Sequence, residues 1–197
     1  MLISPLQNAL LFTISTVFNM YIAIVIIRFL LQLVRADFYN PIAQLIVKAT
    51  NPLLVPLRKI IPGYAKIDFA SVVLALTLQI TQIYLTLAIK GFGIDATATS
   101  IGGLFIWSFG ELVDLLLTIW FFATFIQVIG SWLAPQQYNN PALMLVDKIT
   151  APLFKPIHKV LPNFGGIDLS PIVVIFLISL ARMLISDPIV MFGKSLI

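Results

Sequence analysis

The sequence has no cysteine and a single histidine, His158, in 197 residues. Disulfides and thiolate chemistry are therefore excluded, and one imidazole alone does not make a metal site. Charge is equally sparse. Asp, Glu, Lys and Arg together form 10% of the chain against 60% hydrophobic residues, and mean hydropathy is +1.05. That leaves too little polar side chain to cover a soluble globule of this size, so the class is integral membrane protein. No Lys or Arg precedes Arg28. The N-terminus thus lacks the basic start of a cleaved signal peptide, and the first apolar stretch is expected to remain as an anchor. A glycine-rich phosphate loop and a dinucleotide fingerprint are missing too, and no cofactor is expected.

What is abundant is apolar sequence in long runs. Crossing the hydrocarbon core takes about 20 residues of helix, and four stretches are long enough: Ala9–Val34, Ile67–Ile89, Leu112–Leu133 and Leu169–Phe192. The expected fold is all-α with four transmembrane helices. A net charge of +4 and a pI near 9.5 would fit a nucleic-acid partner in a soluble domain. Here the basic residues lie beside the spans, where they set topology and meet anionic lipid, so no nucleic acid is expected.

A shift of one hundred positions lays the chain on itself. Asn40-Pro41 falls on Asn140-Pro141, Lys48 on Lys148, Thr50 on Thr150, Pro52 on Pro152, Pro56 on Pro156, Lys59 on Lys159, Pro62 on Pro162 and Asp68 on Asp168. Between 40 and 73 there are 13 identities in 34 positions without a gap, which marks an internal duplication. The repeats are 1–97, with linker 40–62, and 98–197, with linker 140–162. Each holds two spans, an even number, so both copies start from the same side and are related by an axis along the membrane normal. The linkers carry Arg35, Lys48, Arg58, Lys59, Lys66, Lys148, Lys155 and Lys159, eight of the twelve Lys and Arg. The positive-inside rule then puts both linkers in the cytoplasm and both termini outside.

Asn40 and Asn140 read as N-caps, each with proline at the first helical position, where the missing N–H costs nothing. In the first linker Ile42, Leu45, Ile46 and Ala49 share a face opposite Gln44 and Lys48. In the second, Leu145, Val146 and Ile149 oppose Asp147 and Lys148. These are amphipathic helices too short to span, expected to lie in the interface. Pro56 follows Pro52 by four residues, which predicts a bent helix or one only a turn or two long. Pro62 stops the chain, and Asp68 or Asp168 stands ready to cap the next span. The linker therefore reads as a proline-broken elbow on the membrane surface, with Arg58 and Lys59 reaching phosphates. A re-entrant hairpin is the alternative, although Arg58 and Lys59 argue against its burial.

Ionisable groups within spans are functional candidates. Arg28, about two turns from the inner end of span one, is expected to snorkel to the headgroups. Glu111 and Asp114 share one helical face at the expected outer start of span three, and Arg182 in span four is expected to pair with Asp114 or with Asp187. Arg182 aligns with Gln82, and Arg28 aligns with Gln127 if one residue is added before Asn140. One Arg and one Gln per repeat read as interhelical glue or as the lining of a conduction path.

The tandem unit of a span with an inner Arg, Tyr39-Asn40-Pro41, T-x-P-L-x-x-P-x-x-K-x-x-P, then I-D and a second span resembles the YggT family, also called YlmG. The resemblance covers nearly the whole chain in two copies. It departs from the family pattern at Gln127, where Arg is usual, and at His158. It implies a non-enzymatic protein of the bacterial inner membrane. It also implies links to osmotic-stress tolerance, division-gene neighbourhoods or assembly of a membrane cytochrome, and it supplies no catalytic residues.

Glu111 and Asp114 are the one acidic pair in a span and stand beside no His or Cys, so an enzyme is not expected. Two readings remain. One is a scaffold or assembly factor whose basic linkers, through Lys48, Arg58, Lys59, Lys148, Lys155, His158 and Lys159, bind anionic lipid, a membrane protein partner or a second copy. The other is an oligomeric ion or osmolyte channel lined by Arg28, Gln82, Gln127 and Arg182.

Overall fold

The structure is a computed structural model that describes residues 4–63, 67–91, 100–133, 140–161 and 168–197. Lys66 and Pro162, used above for topology and for the second linker's stop, lie outside these residues. Helix α1 spans Pro5–Leu33. It begins four residues before the expected Ala9 because Ser4 and Gln7 form a capping box, Gln7 N–H donating to Ser4 Oγ at 3.2 Å and Ser4 N–H to Gln7 Oε1 at 2.9 Å. It ends in a Schellman turn. Arg35 adopts a left-handed φ of 53°, Ala36 N–H reaches Leu31 O at 2.8 Å, and Arg35 N–H reaches Gln32 O at 3.1 Å.

The first linker is helix α2, Pro41–Ile60, and the second is α5, Pro141–Val160. The expected caps form, with Asn40 Oδ1 accepting from Ile42 N–H and Asn140 Oδ1 from Ala142 N–H, both at 2.9 Å. The expected break does not. Each helix runs 20 residues through both of its prolines. Pro52 and Pro56 are four apart, so the two missing N–H groups fall on one stripe, and Pro52, Pro56, Pro152 and Pro156 are all exposed. The opposite stripe keeps its ladder, and there Thr50 adds a hydroxyl bond to the carbonyl of Ile46, four residues back, at 2.7 Å. In α2 the packed stripe is Ala43, Thr50 and Leu54, while Leu45 of the expected apolar face turns outward. In α5 the expected Leu145 and Ile149 are buried with Thr150 and Phe154.

Helix α3 covers Phe69–Ile89 and α4 Ile101–Leu133. At 1.5 Å per residue α4 is about 50 Å long, well beyond the ~30 Å hydrocarbon core. It starts eleven residues ahead of the expected Leu112, so Glu111 and Asp114 lie inside the helix and not at its start. The fourth span comprises α6 (Ser170–Ala181), a π turn at Arg182–Ser186 and α7 (Asp187–Ser195). In the π turn Asp187 N–H bonds to Arg182 O, five residues back. Pro188 has no N–H for the carbonyl of Leu184, which helps the turn to widen.

Helix α1 packs on α3 and α2, α4 on the fourth span and α5, and the two halves meet along α3–α4 and between α2 and α5. Ile22, Val25, Leu30 and Leu31 centre a core that reaches Leu54, Ala75, Ala123 and Ile149 across both repeats. The approach of α7 to α4 is almost backbone to backbone: a Cβ on Gly193 would fall 2.4 Å from the Trp107 nitrogen, and one on Gly110 2.9 Å from that of Val190. Large apolar side chains such as Leu6, Phe12, Met20, Phe122 and Phe176 point outward. Four helices are long and apolar enough to span, so the chain is a multi-pass membrane protein with both linker helices at one end of the bundle.

Candidate functional site

Polar chemistry concentrates where each linker helix folds back on the first span of its repeat. Arg28 is 4% exposed and does not snorkel. Its Nη1 donates to Val47 O at 3.1 Å, Thr50 Oγ1 at 2.5 Å and Asn51 Oδ1 at 2.8 Å, so the first span is latched to the middle of α2. About two helical turns before it on α1, Tyr21 Oη donates to Ala49 O at 3.3 Å. The second repeat builds the same latch without a cation. Thr150 Oγ1 donates to Gln127 Oε1 at 2.5 Å, Gln127 Nε2 reaches Asp147 Oδ1 at 3.4 Å, and Trp120 Nε1 donates to Ile149 O at 3.2 Å. Arg28 and Gln127, and likewise Tyr21 and Trp120, differ by 99 positions, the offset expected ahead of Asn140.

The far end of each linker is tied to the start of the following span. Arg58 bonds Asp68 through Nη2 and also donates to Gln32 Oε1 at 3.2 Å. Asp68 therefore does not cap α3 with its side chain, which is spent on Arg58 and on the Ser71 hydroxyl at 2.6 Å. Burial works against ionisation of Asp68, but the hydrogen bonds from Arg58 and Ser71 and the charge of Arg58 prevail and hold the carboxyl below its usual range. In the second copy His158 Nε2 lies 3.3 Å from Asp168 Oδ2, and Asp168 Oδ1 accepts the Ser170 N–H at 2.9 Å. The Asp168 carboxyl is also lowered, burial again opposing and the bonds to Ser170 and His158 prevailing. A basic group ten residues before an Asp in both copies was the sequence signal for this contact, and reading Arg58 only as a phosphate ligand missed it. The Tyr21 and Trp120 contacts carried no local signal at all.

The remaining intramembrane candidates fall into separate contacts. Arg182 pairs with Asp114 as expected, Nε to Oδ1 at 2.8 Å and Nη2 to Oδ2 at 3.0 Å, and Ser186 Oγ joins Oδ1 at 3.1 Å. Glu111 accepts from Trp107 Nε1 at 2.8 Å, with Lys194 at 3.8 Å from the same oxygen and 4.9 Å over the Trp107 ring. Gln82 Nε2 donates to Asn19 Oδ1 at 3.0 Å. Arg28, Gln82, Gln127 and Arg182 thus each bond to different partners. Lys48, Lys59, Lys148, Lys155, His158 and Lys159 are exposed on the linker helices. Asn40 Nδ2 donates to Pro141 O at 2.8 Å and stitches the two linkers together.

Arg28, Lys48 and Arg58, with Gln32, Gln44 and Asn51, line a cleft of about 890 Å³ between α1 and α2. Two other hollows, about 230 and 600 Å³, are walled almost wholly by apolar side chains.

In keeping with the duplication, the CCB3/YggT family model aligns twice with the chain, over residues 7–89 and 106–189. The chain belongs to the CCB3/YggT family. Its relatives include an uncharacterised protein of Pseudomonas aeruginosa, 48% identical over 91% of this chain and 89% of its own length. A protein of Vibrio alginolyticus is 37% identical over 92% of this chain and 95% of its own. The uncharacterised protein YggT of Escherichia coli strain K12 is 33% identical over 97% of this chain and 96% of its own. No solved structure matches this chain.

Proposed function

We propose that this chain is a non-enzymatic scaffold or assembly factor of the inner membrane, whose linker helices face the cytoplasm and bind anionic lipid headgroups or a membrane protein partner. The observation that carries this reading is the outward face of the linkers. Lys48 and Lys59 are exposed there beside Leu45, Leu53, Val55 and Ile60, and α5 repeats the arrangement with Lys148, Lys155 and Lys159 beside Met144 and Val160. Apolar residues interleaved with cations suit the boundary where acyl chains meet headgroups. A role in osmotic-stress tolerance or envelope processes rests on the family resemblance. The polar groups that would line a channel, Arg28, Gln82, Gln127 and Arg182, each bond to separate partners within the chain, which favours the scaffold reading.

Two experiments test the proposal. The chain has no cysteine, so Lys59→Cys and Lys159→Cys each create a unique label site, which should react with an impermeant thiol reagent only from the cytoplasmic side. A photocrosslinker at the same positions should capture anionic lipid or one reproducible membrane protein. Recovery of neither, or solute flux in proteoliposomes that Arg182→Ala abolishes, would overturn the scaffold reading.

A further inference from the structure

We infer that the cleft between α1 and α2 is a binding site for a phosphate group, carried by a glycerophospholipid headgroup or by a soluble phosphate ester. Three cations, Arg28, Lys48 and Arg58, line it together with the amides of Gln32, Gln44 and Asn51. No carboxylate is among its described lining residues; Arg58 pairs with the nearby Asp68, which leaves Arg28 and Lys48 without an acidic partner among the described residues. Arg28 is buried, yet among the described residues only its Nη1 finds acceptors. The other edge of the guanidinium is left with donors in the planar fork that suits a phosphate. At about 890 Å³ the cleft is far larger than one ion needs and falls in the range of sites for small organic ligands.

The duplication supplies an internal control. In the second repeat the corresponding positions hold Gln127, Ser131, Met144, Asp147, Lys148, Ala151 and His158. Arg28 and Arg58 are replaced, the Asn51 and Gln44 amides are gone, and an acid stands where Val47 does. That repeat still closes its latch through Gln127 and Thr150. The fold therefore does not need a buried cation at this place, and the first copy keeps one for another purpose. The inference deepens the lipid-binding reading and rests on it for the choice of headgroup, but it concerns the buried cleft and not the outward lysines.

The test uses the full chain in phosphatidylcholine nanodiscs, titrated with phosphatidylglycerol, with glycerol 3-phosphate and with inorganic phosphate, while thermal unfolding is followed. Saturable stabilisation is expected. It should weaken about tenfold in apparent affinity for Arg28→Gln, which copies the second repeat and so keeps the latch, and about fivefold for the exposed Lys48→Gln. Stabilisation by phosphatidylglycerol alone assigns a lipid headgroup, and stabilisation by glycerol 3-phosphate assigns a soluble ester. No saturable effect of any of the three, or one that both variants leave unchanged, overturns the inference. If crosslinking of anionic lipid at Lys59 persists in that case, the scaffold reading stands without the cleft.

Discussion

Asp114 offers one carboxylate to two residues of the π turn, so its removal should cost more than the removal of Ser186 and should depend on Arg182. Oδ1 accepts at 2.8 Å from Arg182 and at 3.1 Å from Ser186, and Oδ2 accepts at 3.0 Å from Arg182. A hydrogen bond to a charged group contributes about 1.5–3 kcal/mol in a protein interior. The two side chains here are 41% and 27% exposed, and side-chain bonds between membrane helices average only about 0.6 kcal/mol, with a maximum near 1.7. Three bonds to the carboxylate under that discount give about 2 kcal/mol for Asp114→Ala. Asp114→Asn keeps one acceptor and should lose about half of that. Ser186→Ala should lose about 0.5 kcal/mol. The cycle of Asp114→Ala, Arg182→Ala and the double variant should return a coupling of about 1–1.5 kcal/mol. Reversible unfolding in bicelles, followed by tryptophan fluorescence, measures all of these. A coupling within about 0.3 kcal/mol of zero, or an Asp114→Ala variant no weaker than Ser186→Ala, would refute the view that this carboxylate anchors the turn.

Arg35 sits at a left-handed φ of 53°, so Arg35→Gly should leave stability unchanged or raise it by up to about 1 kcal/mol, while Arg35→Val should lower the melting temperature clearly. Gly193→Ala pushes a methyl into the Trp107 backbone and should destabilise by about 1–3 kcal/mol, seen as loss of the folded protein in detergent. Asp68 is ionised in the fold below its usual range, so the stability it contributes is fully present above an unfolded pKa of about 3.9 and is lost as pH falls through the lower folded value. Asp68→Asn should therefore be weaker than the parent at pH 7, and the gap should narrow as pH falls below about 3.9, read by unfolding across that range.

Which parts of this molecule could be read in advance follows from the range of the forces involved. The spans, the duplication and the caps at Asn40 and Asn140 depend on local composition and spacing, and all of them are present. The Arg182–Asp114 pair was legible because two opposite charges at matched depth in an apolar medium have few other partners. Arg28 was read as a snorkelling group because its acceptors, Val47, Thr50 and Asn51, belong to a helix whose return against α1 no local pattern dictates. The early start of α4 has no comparable local signal, since Gly102 and Gly103 stand in its first turn and glycine is a poor helix former. Gly103 is tolerated because its bare Cα faces Gly193, Leu196 and Ile197, and that is a tertiary reason. The unbroken linkers have a similar cause: proline rules describe the lost bonds, and packing of Thr50 and Leu54 on the bundle decides whether the helix survives them.

The sequence distance between bonded partners also sets an order in time. Arg28 finds its acceptors 19, 22 and 23 residues further on, whereas Asp114 waits 68 residues for Arg182. A chain that leaves the ribosome N-terminus first, at about 5–20 residues per second, can satisfy Arg28 within a few seconds of its synthesis. The acid of the second repeat stays without its partner until the last span has been made. The first half can thus mature in the bilayer while translation continues, and the second is completed only near release.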